Sequence, residues 1–321
     1  MQHIKTTSLV EEASDELGRL DATCVLAPGS VEIALRLVAS AGLVEPTRSS
    51  FRALAAAEAD PLHDALLSPE FLVWRALISV EEKRVRGGAR LTLTRFGTVV
   101  PEVTASAPEP QGSEARRSAT EDPRLRLEAI WREPSSSRAV LERAVDSAAW
   151  SPNAAVAEAS AALLLCAGGR TGRVRILPFA SAPAAERDAE RAAAIEGYRS
   201  GETAAWTELS LRALAARARA ARLAALPVID APESEEECLR PLGRAAITAR
   251  AALALLRRRL ATTIPALAED LGTSRPAAND ALERLVALGL AREITGRARD
   301  RVFAYGVACA MGESLLPADA P

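Results

Sequence analysis

The residues best suited to hold an anion lie in LLLCAGGRTGRVR, Leu163 to Arg175. Gly168 and Gly169 follow an apolar helical run, and Arg170 and Arg173 come three apart. Adjacent glycines let a backbone approach a ligand closely, and the free amides at the start of a helix attract negative charge. If a helix begins near Thr171, those amides and the two guanidinium groups would form a phosphate site. Gly168, Gly169, Arg170 and Arg173 are therefore candidate anion-binding residues. The same residues also fit a joint between two helices with solvated arginines. Arginine is common throughout this chain, in which Lys5 and Lys83 are the only lysines, so one Gly-Gly-Arg weighs little.

A second group of polar residues lies about a hundred positions further on, in TTIPALAEDLGTSRPAANDALERLVALGLAREITGRARDRVFAY, Thr262 to Tyr305. The spacing predicts a short helix with Ile264, Leu267, Ala268 and Leu271 inward, and Gly272 supplies a tight turn. Thr273 or Ser274 caps the next helix, Pro276 sits in its first turn, and Ala278, Leu282 and Leu285 form its buried face. That helix closes at Gly289, and two short alternating strands follow around Gly296. The pattern is a helix-turn-helix, and it resembles the bacterial winged helix-turn-helix, in which a stretch like GTSRPAAND opens the recognition helix.

Charge agrees locally. The whole chain carries a net charge of −2, so it has no global basic field for nucleic acid. From Arg244 to Tyr305, however, eleven arginines face six acids. Ser274, Arg275 and Asn279 on the second helix, with Arg297, Arg299 and Arg301 on the wing, are the candidate DNA contacts. Helix-start amides and hydroxyls hold phosphate, arginine reads guanine or neutralises backbone, and asparagine pairs with adenine. Asp280 and Glu283 lie near the same face and would repel phosphate if turned towards it. Arg257, Arg258 and Arg259 end the preceding helix, where solvation explains them as well as phosphate does.

The order CAGGRTGR, then AAIEGYRSGETAAWTELSLRAL, then a winged helix resembles the Fic family. In that family the active-site loop reads HPFxxGNGRxxR, and a later helix carries a pattern like YxxxRxGDxxxW. Tyr198, Arg199, Gly201, Glu202 and Trp206 fit the later pattern, and Gly169, Arg170 and Arg173 fit the end of the loop. The resemblance implies a histidine base, an acid that holds magnesium, and amides and arginines that hold nucleotide phosphates. Here the histidine position is Ala162 and the acid position is Cys166, while Ala167 and Gly168 replace Gly-Asn. A methyl group cannot act as a general base, and loss of the carboxylate removes a hard oxygen ligand for magnesium. The only histidines are His3 and His63, neither near the loop. The resemblance thus implies an inactive Fic-like body with no cofactor, rather than an enzyme. The ending GLAREITGRARDRVFAY is also similar to the phrase GLREMTGRGRYRAW in a family of rhizobial plasmid-associated proteins, which implies a helix-turn-helix DNA-binding domain behind a Fic-like middle.

The elements that would position these groups are mainly α: helical bundle domains followed by a winged helix-turn-helix with a small β-wing. Residues 1–98 read as an N-terminal helical region with a short β-arm at RLTLTRF. Residues 99–122, with little to bury, read as a disordered linker. A Fic-like helical domain over 123–226 follows, with Trp131, Trp150 and Trp206 as core anchors. An acidic linker over 227–240, a winged helix over 241–308 and a flexible tail over 309–321 complete the chain.

Hydrophobic residues make up 49% and aromatics 3%, so a core must be built mainly from Ala, Leu and Val, and alanine-rich segments favour helix. The four cysteines are far apart and lack metal-ligand spacing, as expected of free thiols in a reducing compartment. No run of about 18 apolar residues and no signal peptide appears, so a soluble cytoplasmic protein without a membrane partner is expected. No Walker loop, CxxC pair or HExxH is present, and Ser135, Ser136 and Ser137 have no histidine nearby. The function expected is that of a DNA-binding transcriptional regulator, for which a homodimer would double the half-sites read. The alternatives are a Fic-like enzyme that transfers a nucleotide or phosphate-containing group with non-standard residues, and a helical protein-interaction adaptor.

Overall fold

The computed structural model describes residues 2–44, 47–60, 145, 185–316 and 318. They are mainly helical, with one small antiparallel sheet. The helices are α1 (Gln2–Leu26), α2 (Gly29–Val44), α3 (Arg48–Ala59), α4 (Ala185–Ser200), α5 (Thr203–Leu239), α6 (Ala246–Arg259), α7 (Ile264–Leu271), α8 (Arg275–Ala287) and α9 (Gly306–Ser314). A 3-10 turn, Arg240–Ala245, joins α5 to α6. The strands are β1 (Ala261–Thr263), β2 (Ala291–Glu293) and β3 (Val302–Tyr305), in the order β1-β3-β2. Among the described residues no helix is long and apolar enough to cross a membrane.

The chain divides into two compact units. The first comprises Met1–Asp15 and Ser68–Ala215. In its described part, Val10, Ala13, Ala194, Trp206, Leu211 and Leu214 are buried. The Trp206 indole donates a hydrogen bond to the Val145 carbonyl at 2.9 Å. Its burial fits the core role expected of it. Trp131 and Trp150, the β-arm and the linker over 99–122 lie outside the described residues.

The second unit comprises Glu16–Leu67 and Ala216–Pro321, so its two halves come from distant parts of the sequence. Helix α2 packs on α3, α6 and α9, while α3 packs on β1, and α6 and α7 both pack on α8. Glycine permits two of the closest approaches. A Cβ on Gly312 would fall 2.3 Å from the Phe51 ring, and one on Gly29 would fall 2.9 Å from the Arg258 carbonyl oxygen. Leu260, between α6 and β1, takes φ 65 and ψ −49, a region that costs a residue with a side chain about 1–3 kcal/mol. It is held by complete burial and by the Tyr305 N–H, which donates to its carbonyl at 2.7 Å.

Two buried carboxylates tie this unit together. Glu235 on α5 accepts from the Tyr305 hydroxyl at 2.5 Å and pairs with Arg257 on α6. Burial, then the hydrogen bond to Glu235 and the Glu235 charge, hold the Tyr305 hydroxyl well above the usual phenol range. Glu313 on α9 pairs with Arg52 of α3 at 2.6 Å and with Arg292 of β2 at 2.9 Å. The Cys309 thiol lies 3.8 Å from it, and burial, then the Glu313 charge, pushes that thiol up to about 12.

Two expected boundaries are corrected. Residues 227–239 are not an acidic linker but the last part of α5, despite Pro227 and Pro232 within the helix. Ala225, Val228, Ala231, Glu235 and Leu239 are buried at three-to-four spacing, while Asp230, Glu233, Glu236 and Glu237 are exposed. That stripe offsets the hydrogen bonds the prolines cannot make. Nor is the segment from 309 a flexible tail: Cys309, Met311 and Glu313 of α9 are buried.

Replacing Glu313 by Ala would leave two arginines without their carboxylate. Both are a third or more exposed, which lowers the cost to about 2 kcal/mol, measured as a shift in denaturant midpoint. Burial raises the Glu313 pKa, but hydrogen bonds and charge from Arg52 and Arg292 outweigh it and hold the carboxyl below its ordinary 4.5. Its contribution is therefore present above about pH 4.5 and lost as the pH falls through the depressed value. The stability gap between the wild type and Glu313→Gln is expected to narrow below that pH.

Candidate functional site

The site is built on α7, the turn after it, α8 and the loop 294–301 between β2 and β3. Thr263 caps α7, its hydroxyl accepting from the Ala266 N–H at 3.3 Å. Leu267 and Ala268 are buried beneath, and Ile264 and Leu271 are half-buried. Gly272 ends α7 in the left-handed region at φ 60, where glycine escapes the steric cost of a Cβ. The chain then turns within two residues. Of the two cap candidates, Ser274 is the one used: its hydroxyl accepts from the Ala277 N–H at 3.4 Å, with Pro276 in the first turn. Ala278, Ala281, Leu282 and Leu285 are buried, as the spacing of the helix predicted, with Ala281 added.

This leaves the start of α8 facing outward. Ser274 and Arg275 are exposed, and Asn279 is half-buried. The loop 294–301 is ordered by a carboxylate at its root. Glu293 accepts from the Thr295 N–H at 2.8 Å, from the Thr295 hydroxyl, and from the Gly296 N–H at 3.1 Å. The Thr295 hydroxyl in turn accepts from the Val302 N–H at 3.4 Å. Gly296 and Asp300 both have positive φ, 63 and 52, and a short polar side chain tolerates that region better than most. Arg297 and Arg299 are exposed on this loop.

Arg301 differs from them. It is half-buried, its guanidinium lies 4.7 Å from the centre of the Phe303 ring, and it pairs with Glu283 of α8 at 2.6 Å. Asp280 pairs with Arg284 one turn along the same helix at 2.7 Å. The two acids expected to repel phosphate are thus each matched by an arginine. Arg292 is taken by Glu313, Arg257 by Glu235 and Arg259 by Asp270. Arg275, Arg297 and Arg299 have no acidic partner among the described residues.

The residues Gly168, Gly169, Arg170 and Arg173, with Ala162 and Cys166, lie outside the described residues. Of the later pattern, Tyr198 and Arg199 end α4, Gly201 turns the chain at φ 105, and Glu202 is exposed before α5. Among the described residues no group of His, Cys, Asp and Glu could hold a metal ion. The sequence reading missed the role of Glu293. Its signal was a carboxylate two and three residues before Thr295 and Gly296, the spacing of a side-chain-capped turn.

No family model matches this chain, and no curated protein is found to match it.

Replacing Glu293 by Ala removes the charged acceptor for two backbone amides. Each such bond contributes about 1.5–3 kcal/mol, so the Thr295 and Gly296 amides are expected to exchange about tenfold faster or more. Hydrogen exchange followed by NMR checks this. Unchanged rates would mean that the loop is ordered by something else.

Proposed function

We propose that residues 241–308 form a winged helix-turn-helix that binds duplex DNA, and that the chain is a transcriptional regulator. The observation that carries the reading is the division of the arginines. Those that pack the unit together are matched by acids, whereas Arg275 at the start of α8 and Arg297 and Arg299 on the loop are exposed and have no acidic partner among the described residues. Guanidinium groups at a helix start and on a loop can neutralise phosphates of a duplex. The exposed cap of α8 adds free amides at its positive end.

The element order supports the same reading. Helix α6, β1, α7, a glycine turn, α8, and then a two-stranded arm paired to β1 is the arrangement in which a recognition helix and wing flank one groove. Under this reading α8 enters the major groove, Ser274 and Arg275 anchor its start, and Asn279 reaches a base edge. The Fic-like body plays no catalytic part and serves partner contact or self-association. The protein works in the cytoplasm and needs no cofactor.

A mobility-shift assay of the full chain with genomic fragments at low salt tests this. Binding is expected, with a loss of at least tenfold when Arg275, Arg297 and Arg299 are all changed to Ala. No binding, or binding indifferent to that triple change, would favour a protein-interaction adaptor.

A further inference from the structure

Arg301 stands in the same basic run as Arg297 and Arg299 but is held differently. We infer that Arg301 is a positioning residue that fixes the wing against α8, with Glu283 as its counter-charge, and is not a phosphate contact. The inference rests on the DNA-binding reading and sharpens it, since it says which charges meet the nucleic acid.

Three observations carry it. The Arg301 guanidinium is held at both sides, by the Glu283 carboxylate at 2.6 Å and by the Phe303 ring at 4.7 Å. A cation held over an aromatic face and matched by a carboxylate has little charge left for a third partner. Second, the two anchors belong to different elements. Glu283 lies in the middle of α8 and Phe303 on β3, so this one side chain joins the helix to the wing strand. Phe303 itself is fully buried and pairs in register with Thr262 and Glu293, which fixes the platform under Arg301. Third, Arg297 and Arg299 are exposed and have no such partner among the described residues, so the run contains two kinds of arginine.

The two roles differ in their salt dependence. Each phosphate neutralised on B-DNA contributes about 0.9 to the slope of log affinity against log salt. A phosphate contact that is deleted flattens the slope by about that amount. A strut that is deleted weakens binding by misplacing its neighbours and leaves the slope alone. Removing Glu283 should do the reverse of deleting a contact, because it releases the Arg301 charge towards the duplex.

The experiment measures binding of a labelled mixed-sequence duplex to the full chain over a salt series. The proteins are the wild type, Arg297→Ala, Arg301→Met and Glu283→Gln. Methionine keeps an apolar stem over Phe303. Arg297→Ala is expected to flatten the slope by about 0.9, Arg301→Met to weaken binding several-fold at unchanged slope, and Glu283→Gln to steepen it by up to about 0.9. Thermal unfolding of Arg301→Met, Glu283→Gln and the variant that carries both, without DNA, should show that these two changes are not additive. If Arg301→Met flattens the slope as Arg297→Ala does, Arg301 is a phosphate contact and the inference fails while the DNA reading stands. Additive thermal effects would also overturn it. If the wild type binds no duplex at low salt, the DNA reading fails and takes the inference with it.

Discussion

The Glu313 carboxylate is the point on which the second unit depends. It lies on α9, buried, and it is matched by Arg52 of α3 and by Arg292 of β2, the strand before the loop 294–301. A buried charge is tolerated only when it is paired and hydrogen-bonded. Satisfying this one therefore requires three distant segments to assemble together. Glu235 imposes the same demand on α5, α6 and β3 through Arg257 and Tyr305. The described aromatic side chains in the core of this unit, Phe51, Phe303 and Tyr305, are few, and much of the rest is alanine and leucine. In such a core, polar pairs that accept only one partner set the register that large side chains would otherwise set.

The same logic divides the surface charge. An arginine-rich chain must distinguish guanidinium groups that build the fold from those free to bind. Here the distinction is made by acids. Glu235, Asp270, Asp280, Glu283 and Glu313 engage Arg257, Arg259, Arg284, Arg301 and the Arg52–Arg292 pair. Among the described residues, the exposed arginines of this unit without an acidic partner include Arg275 at the start of α8, Arg297 and Arg299 on the loop 294–301, and Arg244 and Arg258 near the two ends of α6. A chain of net charge −2 can carry a local basic surface in this way without a global field.

Much of the second unit was legible in the sequence because its signals are local. Gly272, the Ser274 cap, Pro276 and the Ala278, Leu282 and Leu285 face are set by backbone geometry and spacing within a few residues. The failures have a common cause. Residues 227–239 read as a linker because Pro227, Pro232 and a run of glutamates are local breakers, yet the buried stripe through Val228, Ala231 and Leu239 depends on partners far away in sequence. Residues 309–321 read as a flexible tail, whereas Gly312 admits the Phe51 ring from a segment far away in sequence. Asp280 and Glu283 looked unfavourable for DNA because their arginine partners could be matched to them only in three dimensions.

The most direct test asks whether DNA touches the chain, and where. Hydrogen exchange of the full chain, followed by mass spectrometry with and without a mixed-sequence duplex at low salt, gives that map. The account predicts slowed exchange over residues 273–280 and 295–300 and little change over α2, α3 and α9. Unchanged exchange in both segments, or protection centred on the N-terminal helices, would contradict it.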